Sequence, residues 1–388
     1  MHTTIEELLT RGVAEVIDKP HLEQILSSKK KLRIKLGIDP TSPSIHIGRA
    51  VVLWKLRAFQ ELGHTVVFIV GDFTGLIGDT SDKDAERPML TEVQVKANLK
   101  TYFSQAFKIL DRAKTETHYN SKWLKKLGFK EIGQLADAFG LHEFEARENI
   151  SKRMKEGKRV SLRELLYPLM QGYDSIAVKA NVELGGTDQR FNLLAGRTLQ
   201  KAVGQEPQDI LTMQLLEGTD GRKMSSSWGN TVNITDEPND MYGKIMSVPD
   251  TLIEKYFILA TRKPIEEVVE IMKLPNPRDQ KMVLAQAITA LYYGEQKAEV
   301  AKEAFISQFS KGELPADIPE KKLKPGTYVL ADLLVEYKLV VSKSEVRRLM
   351  DQKGIKINNS VAFESTVHID GKSEILIQIG KRKYIKLK

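Results

Sequence analysis

The stretch RIKLGIDPTSPSIHIGRAVVLWKLRAFQELGHTVVFIVGD, residues 33–72, decides the fold class. It opens with an apolar, β-branched run, RIKLGID at 33–39, and closes with a second one, TVVFIVGD at 65–72. Between them, after two prolines, apolar residues recur at helical spacing up to Gly63, which is typical of a helix C-cap. Strand, helix and strand in this order predict a βαβ unit and therefore a parallel sheet.

Outward from this unit, the strand-like piece VELGG near residue 184 extends the pattern to a doubly wound α/β domain over roughly residues 30–215. Residues 90–160 are rich in Lys, Glu, Ala and Leu and predict a helical insertion. Residues 235–310 are again helical, and KGELPADIPEKKLKPG marks a linker. The remainder predicts two helices, YVLADLLVEYKL and SKSEVRRLMDQKG, followed by short strands.

Composition limits the class of protein. The 388 residues contain no cysteine, which excludes disulfides, thiolate metal sites and a cysteine nucleophile. No apolar run has membrane-spanning length, and the acidic, amphipathic N-terminus is unlike a signal peptide, so we expect a cytoplasmic protein without a membrane partner. The net charge is +8, and the segment from Gly326 to Lys388 carries 12 Lys/Arg against 7 Asp/Glu. A basic tail indicates a nucleic-acid partner, with a solvated basic surface as the alternative.

The junction DPTSPSIHIGRA, residues 39–50, lies at the carboxyl end of the predicted first strand, where open parallel sheets bind ligands. The N-terminus of the following helix suits a phosphate. Gly48 has no Cβ to block a nucleotide, and Thr41 and His46 could donate hydrogen bonds to phosphate oxygens. The G-x-G-x-x-G and P-loop motifs are absent here. The alternative is a histidine at a helix N-terminus without any ligand.

A second polar stretch, EGTDGRKMSSSWGN at residues 217–230, could bring Lys223 and several hydroxyl groups to a phosphate. By itself such a stretch is usually a surface loop. Together, His46-Ile47-Gly48 and Lys-Met-Ser-Ser-Ser resemble the HIGH and KMSKS signatures of class I aminoacyl-tRNA synthetases. The segments YPLMQGYDSIAVKANVELGGTDQRFN and GDFTGLIGDTSDKDAERP are similar to those of tyrosyl-tRNA synthetases of the short bacterial subtype, and LADLLVEYKLVVSKSEVRRLMDQKGIKIN resembles an S4 RNA-binding domain.

This resemblance implies an enzyme that activates L-tyrosine with ATP and transfers the tyrosyl group to the 3′ end of tRNA(Tyr), with Mg²⁺ accompanying ATP and no DNA partner. It implies that Thr41, His46 and Lys223 act on the ATP phosphates as pyrophosphate leaves. The other ATP-binding positions that it implies are Asp39, Gly48, Arg49, Lys83, Arg87, Gly186, Asp188, Met224, Ser225, Ser226 and Ser227. Because the tyrosine carboxylate is the nucleophile, the protein needs to supply positioning and charge stabilisation only.

For the amino acid, Tyr167, Gln171 and Asp174 stand at i, i+4 and i+7, on one face of a helix. A polar helix surface is the alternative interpretation of that stripe. The resemblance implies that Tyr167, Gln171 and Asp79 hold the α-amino group, and that Asp174 accepts the phenol hydroxyl. It adds two further tyrosine-site residues, Gln189 and Lys35, the latter standing where much of the family has a tyrosine.

Two more departures concern the signatures, since Arg49 replaces the second histidine of HIGH and Ser226 the second lysine of KMSKS. Arg49 is expected to substitute as a cation, and Lys223 to serve the loop alone. The expected RNA-binding residues of the tail are Lys343, Arg347, Arg348 and Lys353.

The predicted architecture is a Rossmann-like catalytic domain over 1–220, whose insertion at about 90–160 forms a homodimer interface, then a signature loop and helical domain over 221–310, a linker over 311–325 and an S4-like domain over 326–388. Two other functions stay open at this point. One is a tryptophanyl-tRNA synthetase, which shares the fold, and the other is an RNA-binding protein that no longer catalyses.

Overall fold

The computed structural model describes residues 4–28, 30–79, 89–310, 318–340, 342–371, 373–380 and 383–388. The chain forms two compact units, the first made of residues 1–237 and 244–294 and the second of residues 238–243 and 295–388. Within the described ranges, none of the helices combines the length and the apolar character needed to cross a bilayer.

The first unit is built on a six-stranded sheet with the order β1-β6-β5-β2-β3-β4. Its strands are β1 Val13–Ile17, β2 Arg33–Ile38, β3 Thr65–Val70, β4 Thr115–Tyr119, β5 Val182–Gly186 and β6 Asp209–Met213. The strands β2 to β6 pair in parallel, and β1 closes one edge antiparallel to β6. The predicted βαβ unit is therefore confirmed as β2, a helix and β3.

The helices of the first unit surround this sheet. They are α1 Ile5–Thr10, α2 Lys19–Ser27, α3 Ile47–Glu61, α4 Thr74–Ile77, α5 Glu92–Leu99, α6 Tyr102–Ala106, α7 Ser121–Leu124, α8 Phe129–Ala136, α9 Leu141–Glu145, α10 Glu148–Lys155, α11 Leu162–Val178, α12 Arg190–Ala202, α14 Ile253–Ala260, α15 Ile265–Met272 and α16 Pro277–Tyr293, while α13, Pro238–Met246, is shared between the units.

The prediction of a purely helical insertion at 90–160 was wrong in one respect. β4 lies inside this segment and pairs in parallel with β3 through five residue pairs, from Val66 with Thr115 to Val70 with Tyr119. Its sequence, TETHY, alternates polar and β-branched residues and has only a half-buried pattern, so composition hides it among helices. As a result, the residues that follow β4 lie at the carboxyl end of the sheet.

Helix α11 owes its position to its ends and to one close crossing. Ser161 and Glu164 form a capping box at its N-terminus. At Gly172, a Cβ would lie 2.9 Å from the Leu199 side chain and 3.1 Å from the Ala195 backbone of α12. Only glycine lets the two helices approach this closely, and the crossing fixes the height of the α11 face that carries Gln171 and Asp174 above the sheet.

The second unit contains α17 Glu295–Ser310, α18 Leu330–Glu336 and α19 Lys343–Asp351. Its strands are β7 Glu320–Lys321, β8 Gly326–Val329, β9 Ile355–Ile357, β10 Ser360–Val361, β11 Thr366–Ile369, β12 Ile375–Ile379 and β13 Lys383–Leu387. A core that includes Leu330, Leu334, Val346 and Ile377 holds helices and strands together. The tail is thus a small α+β module, as expected.

Two details of this module differ from the sequence prediction. The segment YVLADLLVEYKL does not begin as a helix, because Gly326–Val329 forms β8 and pairs antiparallel with β11. The C-terminal sheet also reaches into the predicted linker, where Glu320 and Lys321 pair in parallel with β13.

Candidate active site

A cavity of about 610 Å³ in the first unit lies at the carboxyl ends of β2 and β5. These neighbouring strands continue to opposite sides of the sheet, β2 to β3 and β5 to β6, so the cavity sits at the topological switch point where open α/β sheets bind ligands. Among its lining residues are the predicted Asp39, Thr41, His46, Gly48, Arg49, Asp79, Tyr167, Gln171, Asp174, Gly186, Asp188, Gln189, Lys223, Met224, Ser225 and Ser226.

His46 is the N-cap of α3. Its Nδ1 accepts a hydrogen bond from the backbone N–H of Arg49 at 3.3 Å, so the ring proton is on Nε2 when the imidazole is neutral. Burial, together with the charges of Arg49 and Lys223, lowers the pKa of His46 to about 3. The histidine is therefore uncharged near neutral pH, and its Nε2–H is a donor.

Arg49 is bound to its own loop. Its guanidinium donates to Thr41 Oγ1 at 2.8 Å and to the hydroxyl of Tyr102, which is fully buried on α6. The side chain thereby orients Thr41 and carries positive charge along the cavity wall. At Gly48, a Cβ would come within 3.1 Å of the His46 ring and 3.4 Å of the Met224 sulfur, which explains the need for glycine between the two signature segments.

Asp39 is a hub rather than an isolated carboxylate. Thr74 Oγ1 donates to its Oδ1 at 2.7 Å, and the Tyr167 hydroxyl donates to its Oδ2 at 2.9 Å. A Cβ at Gly71 would collide with Asp39 Oδ1 at 2.1 Å, so the turn after β3 must be glycine. Burial and the charge of Asp39 hold the pKa of Tyr167 well above its usual range, which keeps that phenol a hydrogen-bond donor.

Lys223 extends from the second signature segment to the end of β5. Its Nζ lies 3.0 Å from Asp188 Oδ2, and about a third of the Lys223 side chain is exposed. A Cβ at Gly186 would lie 2.5 Å from Asp188 Oδ1, so this glycine lets the acid fold back over the strand end. Ser226 Oγ approaches Ser42 Oγ at 3.4 Å. The Ser227 side chain, Lys83 and Arg87 lie outside the described residues.

At the other end of the cavity, α11 presents Tyr167, Gln171 and Asp174 on one face, as predicted. The Asp174 carboxylate is buried and accepts two hydrogen bonds, from Trp123 Nε1 to Oδ1 at 2.7 Å and from Asn120 Nδ2 to Oδ2 at 3.2 Å. Burial raises the pKa of Asp174 to about 7, against the opposing effects of the Lys35 charge and of these two donors.

Asp79 and Gln189 meet beside this face, where Gln189 Nε2 donates to Asp79 Oδ2 at 2.7 Å. They come from the segment after α4 and from the turn after β5. The structure therefore brings together all but one of the predicted tyrosine-site residues.

The exception is Lys35, which the cavity wall does not include. Its side chain is fully buried, and its Nζ bonds to the Gln171 carbonyl at 2.9 Å, to Ser175 Oγ at 2.8 Å and to Glu183 Oε1 at 2.8 Å. The alternation of strand side chains turns position 35 away from the cavity and towards α11. The prediction that Lys35 contacts tyrosine is corrected on this ground.

Sequence reasoning missed Trp123 and Asn120, the two donors to Asp174, and Thr74, which bonds to Asp39. Asn120 and Trp123 follow β4, and the signal that could have found them is HYNSKW, a polar, aromatic stretch directly after a strand end. This stretch can be recognised as part of a site only when β4 is identified as a strand, because the stretch then lies at the carboxyl end of the sheet.

Outside the cavity, Asp18, His21 and Asp209 form the one cluster with metal-ligand geometry among the described residues. Arg197 contacts both acids, Asp18 at 3.1 Å and Asp209 at 3.5 Å, so the cluster already has a cationic partner. In the second unit, Lys343, Arg347, Arg348 and Lys353 are exposed on or directly after α19. Lys343 pairs with Asp332.

Comparison with known proteins agrees with this geometry. Residues 27–310 match the family model for class I tRNA synthetases of the tryptophan and tyrosine type. The chain is 46% identical to the tyrosine–tRNA ligase of Thermotoga maritima, over 98% of this chain and 96% of the relative. It is 45% identical to that of Shewanella oneidensis, over 98% of this chain and 97% of the relative.

Solved structures give the same picture of the fold. A C-terminally truncated mitochondrial tyrosyl-tRNA synthetase from Coccidioides posadasii matches with a TM-score of 0.63 and 25% identity, covering 77% of this chain and 90% of that one. A tyrosyl-tRNA synthetase from Archaeoglobus fulgidus in complex with L-tyrosine matches with a TM-score of 0.60 and 23% identity, covering 76% and 98%.

Proposed function

Because the chain belongs to the class I tRNA synthetases of the tryptophan and tyrosine type, and within them to the tyrosine–tRNA ligases, we propose that it activates L-tyrosine with ATP and transfers the tyrosyl group to the 3′ end of tRNA(Tyr). The observation that carries this proposal is one cavity with two different ends. One end is a buried carboxylate, Asp174, and the other is the N-terminus of α3 with His46 and Thr41.

At the Asp174 end, the phenol hydroxyl of tyrosine donates to the carboxylate. Both oxygens of Asp174 already accept one hydrogen bond each, and carboxylate oxygens have lone pairs for more. Phenylalanine would leave this buried acceptor without its partner, which is the costly case. Closer to the middle of the cavity, Asp79, Tyr167 and Gln171 supply acceptors for the α-amino group of the substrate.

At the other end, ATP lies along the loop from Asp39 to His46, with its phosphates at the N-terminus of α3. A carboxylate oxygen of tyrosine attacks the α-phosphorus, the bond to pyrophosphate breaks, and tyrosyl-adenylate forms. His46 Nε2–H, Thr41 Oγ1 and Lys223 Nζ stabilise the charge that develops on the phosphates. In the second step a hydroxyl of the terminal ribose of tRNA attacks the tyrosyl carbonyl, and AMP leaves.

The two signature departures receive separate roles. Arg49 holds Thr41 through its 2.8 Å hydrogen bond and adds positive charge, while Lys223 is the cation of the second signature because position 226 is a serine. Asp188 and Gly186 lie where the ribose would rest, and the ion pair of Asp188 with Lys223 opens when the phosphates bind. Mg²⁺ enters with ATP, bound to the phosphates.

The insertion supports a homodimer. Its apolar side chains are unusually exposed for a monomer, with Phe129 on α8 at 96%, Val93 on α5 at 77% and Leu141 on α9 at 62% exposure, and Leu162 at the start of α11 reaches 77%. α8 packs against α11, the helix that carries the tyrosine site. A second copy of the chain that covers this surface would therefore lie close to each active site.

The basic module of the second unit supports tRNA binding, through the exposed cations of α19. The domain boundaries at 220, 310 and 325 remain part of the same proposal, and so does a cytoplasmic location, where tRNA is charged.

The decisive experiment is ATP–pyrophosphate exchange with tyrosine, tryptophan and phenylalanine as separate substrates. We expect exchange with tyrosine only. Comparable exchange with tryptophan would contradict the substrate, and no exchange with any of the three would favour an RNA-binding protein without catalysis.

A further inference from the structure

Beneath the proposed tyrosine site lies a buried ion pair that does not line the cavity. Lys35 on β2 and Glu183 on β5 are register partners in the parallel sheet, and their side chains are 0% and 1% exposed. Both project towards α11, and their charged atoms are 2.8 Å apart. A buried ion pair is weak evidence for stability, because removing two charges from water costs about as much as their attraction returns.

The pair holds the stretch of α11 from Gln171 to Ser175. Lys35 Nζ bonds to the Gln171 carbonyl and to Ser175 Oγ, and Ser175 Oγ donates to Glu183 Oε2 at 3.0 Å. Glu183 Oε1 is 3.4 Å from the side-chain amide of Gln171. Asp174 lies between these two attachment points, so its height and rotation are set from below.

The surroundings are shaped to make room for this arrangement. Gln208 Nε2 donates to Glu183 Oε2, and a Cβ at Gly196 of α12 would lie 2.6 Å from that Gln208 nitrogen and 2.8 Å from Ser175 Oγ. Any larger residue at position 196 would push the network out of place.

We propose, on the basis of the role given above to Asp174, that Lys35 and Glu183 are positioning and specificity-determining residues, which aim Asp174 at the phenol hydroxyl and set the range of pH in which it accepts a hydrogen bond. Among the described residues, the charged groups that act on Asp174 are Lys35 from β2 and Glu183 from β5, and the titratable but neutral Tyr167 lies on its own helix. The neutral donors Trp123 and Asn120 face it from the segment after β4.

The two members act on Asp174 with opposite sign. The Lys35 charge lowers the pKa of Asp174 and the Glu183 charge raises it, with Lys35 the stronger of the two. Removing Lys35 alone therefore favours the protonated carboxyl, and removing the Glu183 charge alone favours the carboxylate. A residue that only held the fold together would not produce opposite shifts.

The test compares full-length wild type with Lys35→Met, Glu183→Gln and the double variant, in ATP–pyrophosphate exchange with tyrosine and with phenylalanine between pH 5.5 and 8.5. The pH below which kcat/KM for tyrosine falls should lie lowest in Glu183→Gln, higher in wild type, higher again in the double variant and highest in Lys35→Met. The largest shift should be about one pH unit. At pH 7, discrimination against phenylalanine should fall about fivefold in Lys35→Met, because the ionised fraction of Asp174 falls from about one half to about one tenth.

Lys55→Met is the matched control. Lys55 is also a buried lysine, its Nζ bonds to the carbonyls of Leu8 and Arg11, and burial lowers its pKa to about 7, yet the cavity wall does not include it. We expect its pH profile and its discrimination to equal those of wild type. Should Lys35→Met fail to fold because Glu183 is left unpaired, the double variant removes both charges of the pair and still predicts a shift to higher pH.

An unchanged pH profile in the folded variants, with tyrosine and phenylalanine affected alike, would overturn the inference and reduce the pair to a structural role. Asp174→Asn separates this outcome from an error in the proposed function. If that variant retains both the acid limb and the preference for tyrosine, Asp174 does not contact the phenol, and the proposed site itself is wrong.

Discussion

The indole Nε1 of Trp123 donates a 2.7 Å hydrogen bond to Oδ1 of Asp174, and this contact joins the end of β4 to the face of α11. Asn120 donates to the second oxygen from the same segment. Two fixed donors favour the ionised carboxylate, whose oxygens both accept hydrogen bonds, and this is the form that a phenol O–H requires. In the proposed site, specificity for the hydroxyl would therefore depend on the residues after β4 as well as on α11.

The first prediction concerns pH. Burial raises the pKa of Asp174 to about 7, and a bound phenol O–H stabilises the carboxylate form, so tyrosine binding releases a proton from the fraction of molecules that is protonated. We expect kcat/KM for tyrosine to be constant above pH 7 and to fall about tenfold per pH unit below it. Asp174→Asn should remove this limb and lower kcat/KM at pH 8 by about 10- to 150-fold, or about 1.5–3 kcal/mol.

The measurement is the pH profile of tyrosine-dependent pyrophosphate exchange, with unfolding curves to show that Asp174→Asn is folded. A limb that persists in the variant would assign the titration to another group.

The sequence predicts the residues that line the cavity better than it predicts the residues that hold them in place. The βαβ unit, the signature segments and the face of α11 follow from local spacing, because strand, helix and glycine patterns are local properties. Trp123 follows β4, a strand whose polar sequence gives no sign of burial. Its place beside Asp174 depends on the position of β4 in the sheet, which only the tertiary structure sets. The resemblance implies a ligand contact for Lys35, which stands where much of the family has a tyrosine, yet side-chain alternation turns it to Glu183.

His46 provides the second prediction, since it is the N-cap of α3 and the proposed donor to the phosphates. His46→Asn keeps a capping side chain but cannot reach the phosphates, and it should slow adenylate formation about 100-fold with stability unchanged. His46→Ala should lose the same rate and, in addition, about 1 kcal/mol of unfolding free energy. Single-turnover adenylate formation and urea unfolding measure the two effects.

Because the pKa of His46 is about 3, both variants made at this position should retain the acid limb near pH 7. Loss of the limb in His46→Asn would mean that the histidine, not Asp174, titrates there.

The third prediction concerns the loop cation. Lys223→Ala should slow adenylate formation about 100- to 1,000-fold and change the KM for tyrosine less than about twofold, because Lys223 contacts the phosphates mainly in the transition state. Arg222→Ala is the matched control: the neighbouring side chain pairs with Asp220 and stacks 4.8 Å from the centre of the Trp228 ring, at 61% exposure. Equal losses in the two variants would indicate a general loop effect and not a phosphate contact.

The fourth prediction tests the homodimer. Phe129→Asp places a charge on the most exposed apolar side chain of the insertion and should raise the dimer dissociation constant about 30-fold or more, which corresponds to a loss of about 2 kcal/mol. Val269→Asp, at a position on α15 that is 50% exposed, should leave the dimer intact. Sedimentation velocity over a range of protein concentrations measures the dissociation constant of both variants. An unchanged dissociation constant in Phe129→Asp would mean that the interface lies elsewhere.

The fifth prediction concerns α19 in the second unit. Arg347 and Arg348 are exposed there, while Val346 between Glu345 and Arg347 is buried and anchors the helix in the core. Each arginine that neutralises an RNA phosphate releases counterions. The slope of the logarithm of tRNA affinity against the logarithm of salt concentration should therefore become shallower by about 0.7–0.9 for each charge removed. We expect Arg347→Ala/Arg348→Ala to weaken tRNA binding and charging most strongly at low salt, and to leave pyrophosphate exchange unchanged, because adenylate formation needs only tyrosine and ATP.

Arg347→Lys/Arg348→Lys keeps both charges and should retain most of the affinity. Unchanged charging in the alanine variant at all salt concentrations would mean that α19 does not face the tRNA, whereas a loss of pyrophosphate exchange in a folded alanine variant would mean that the module contributes to the first step.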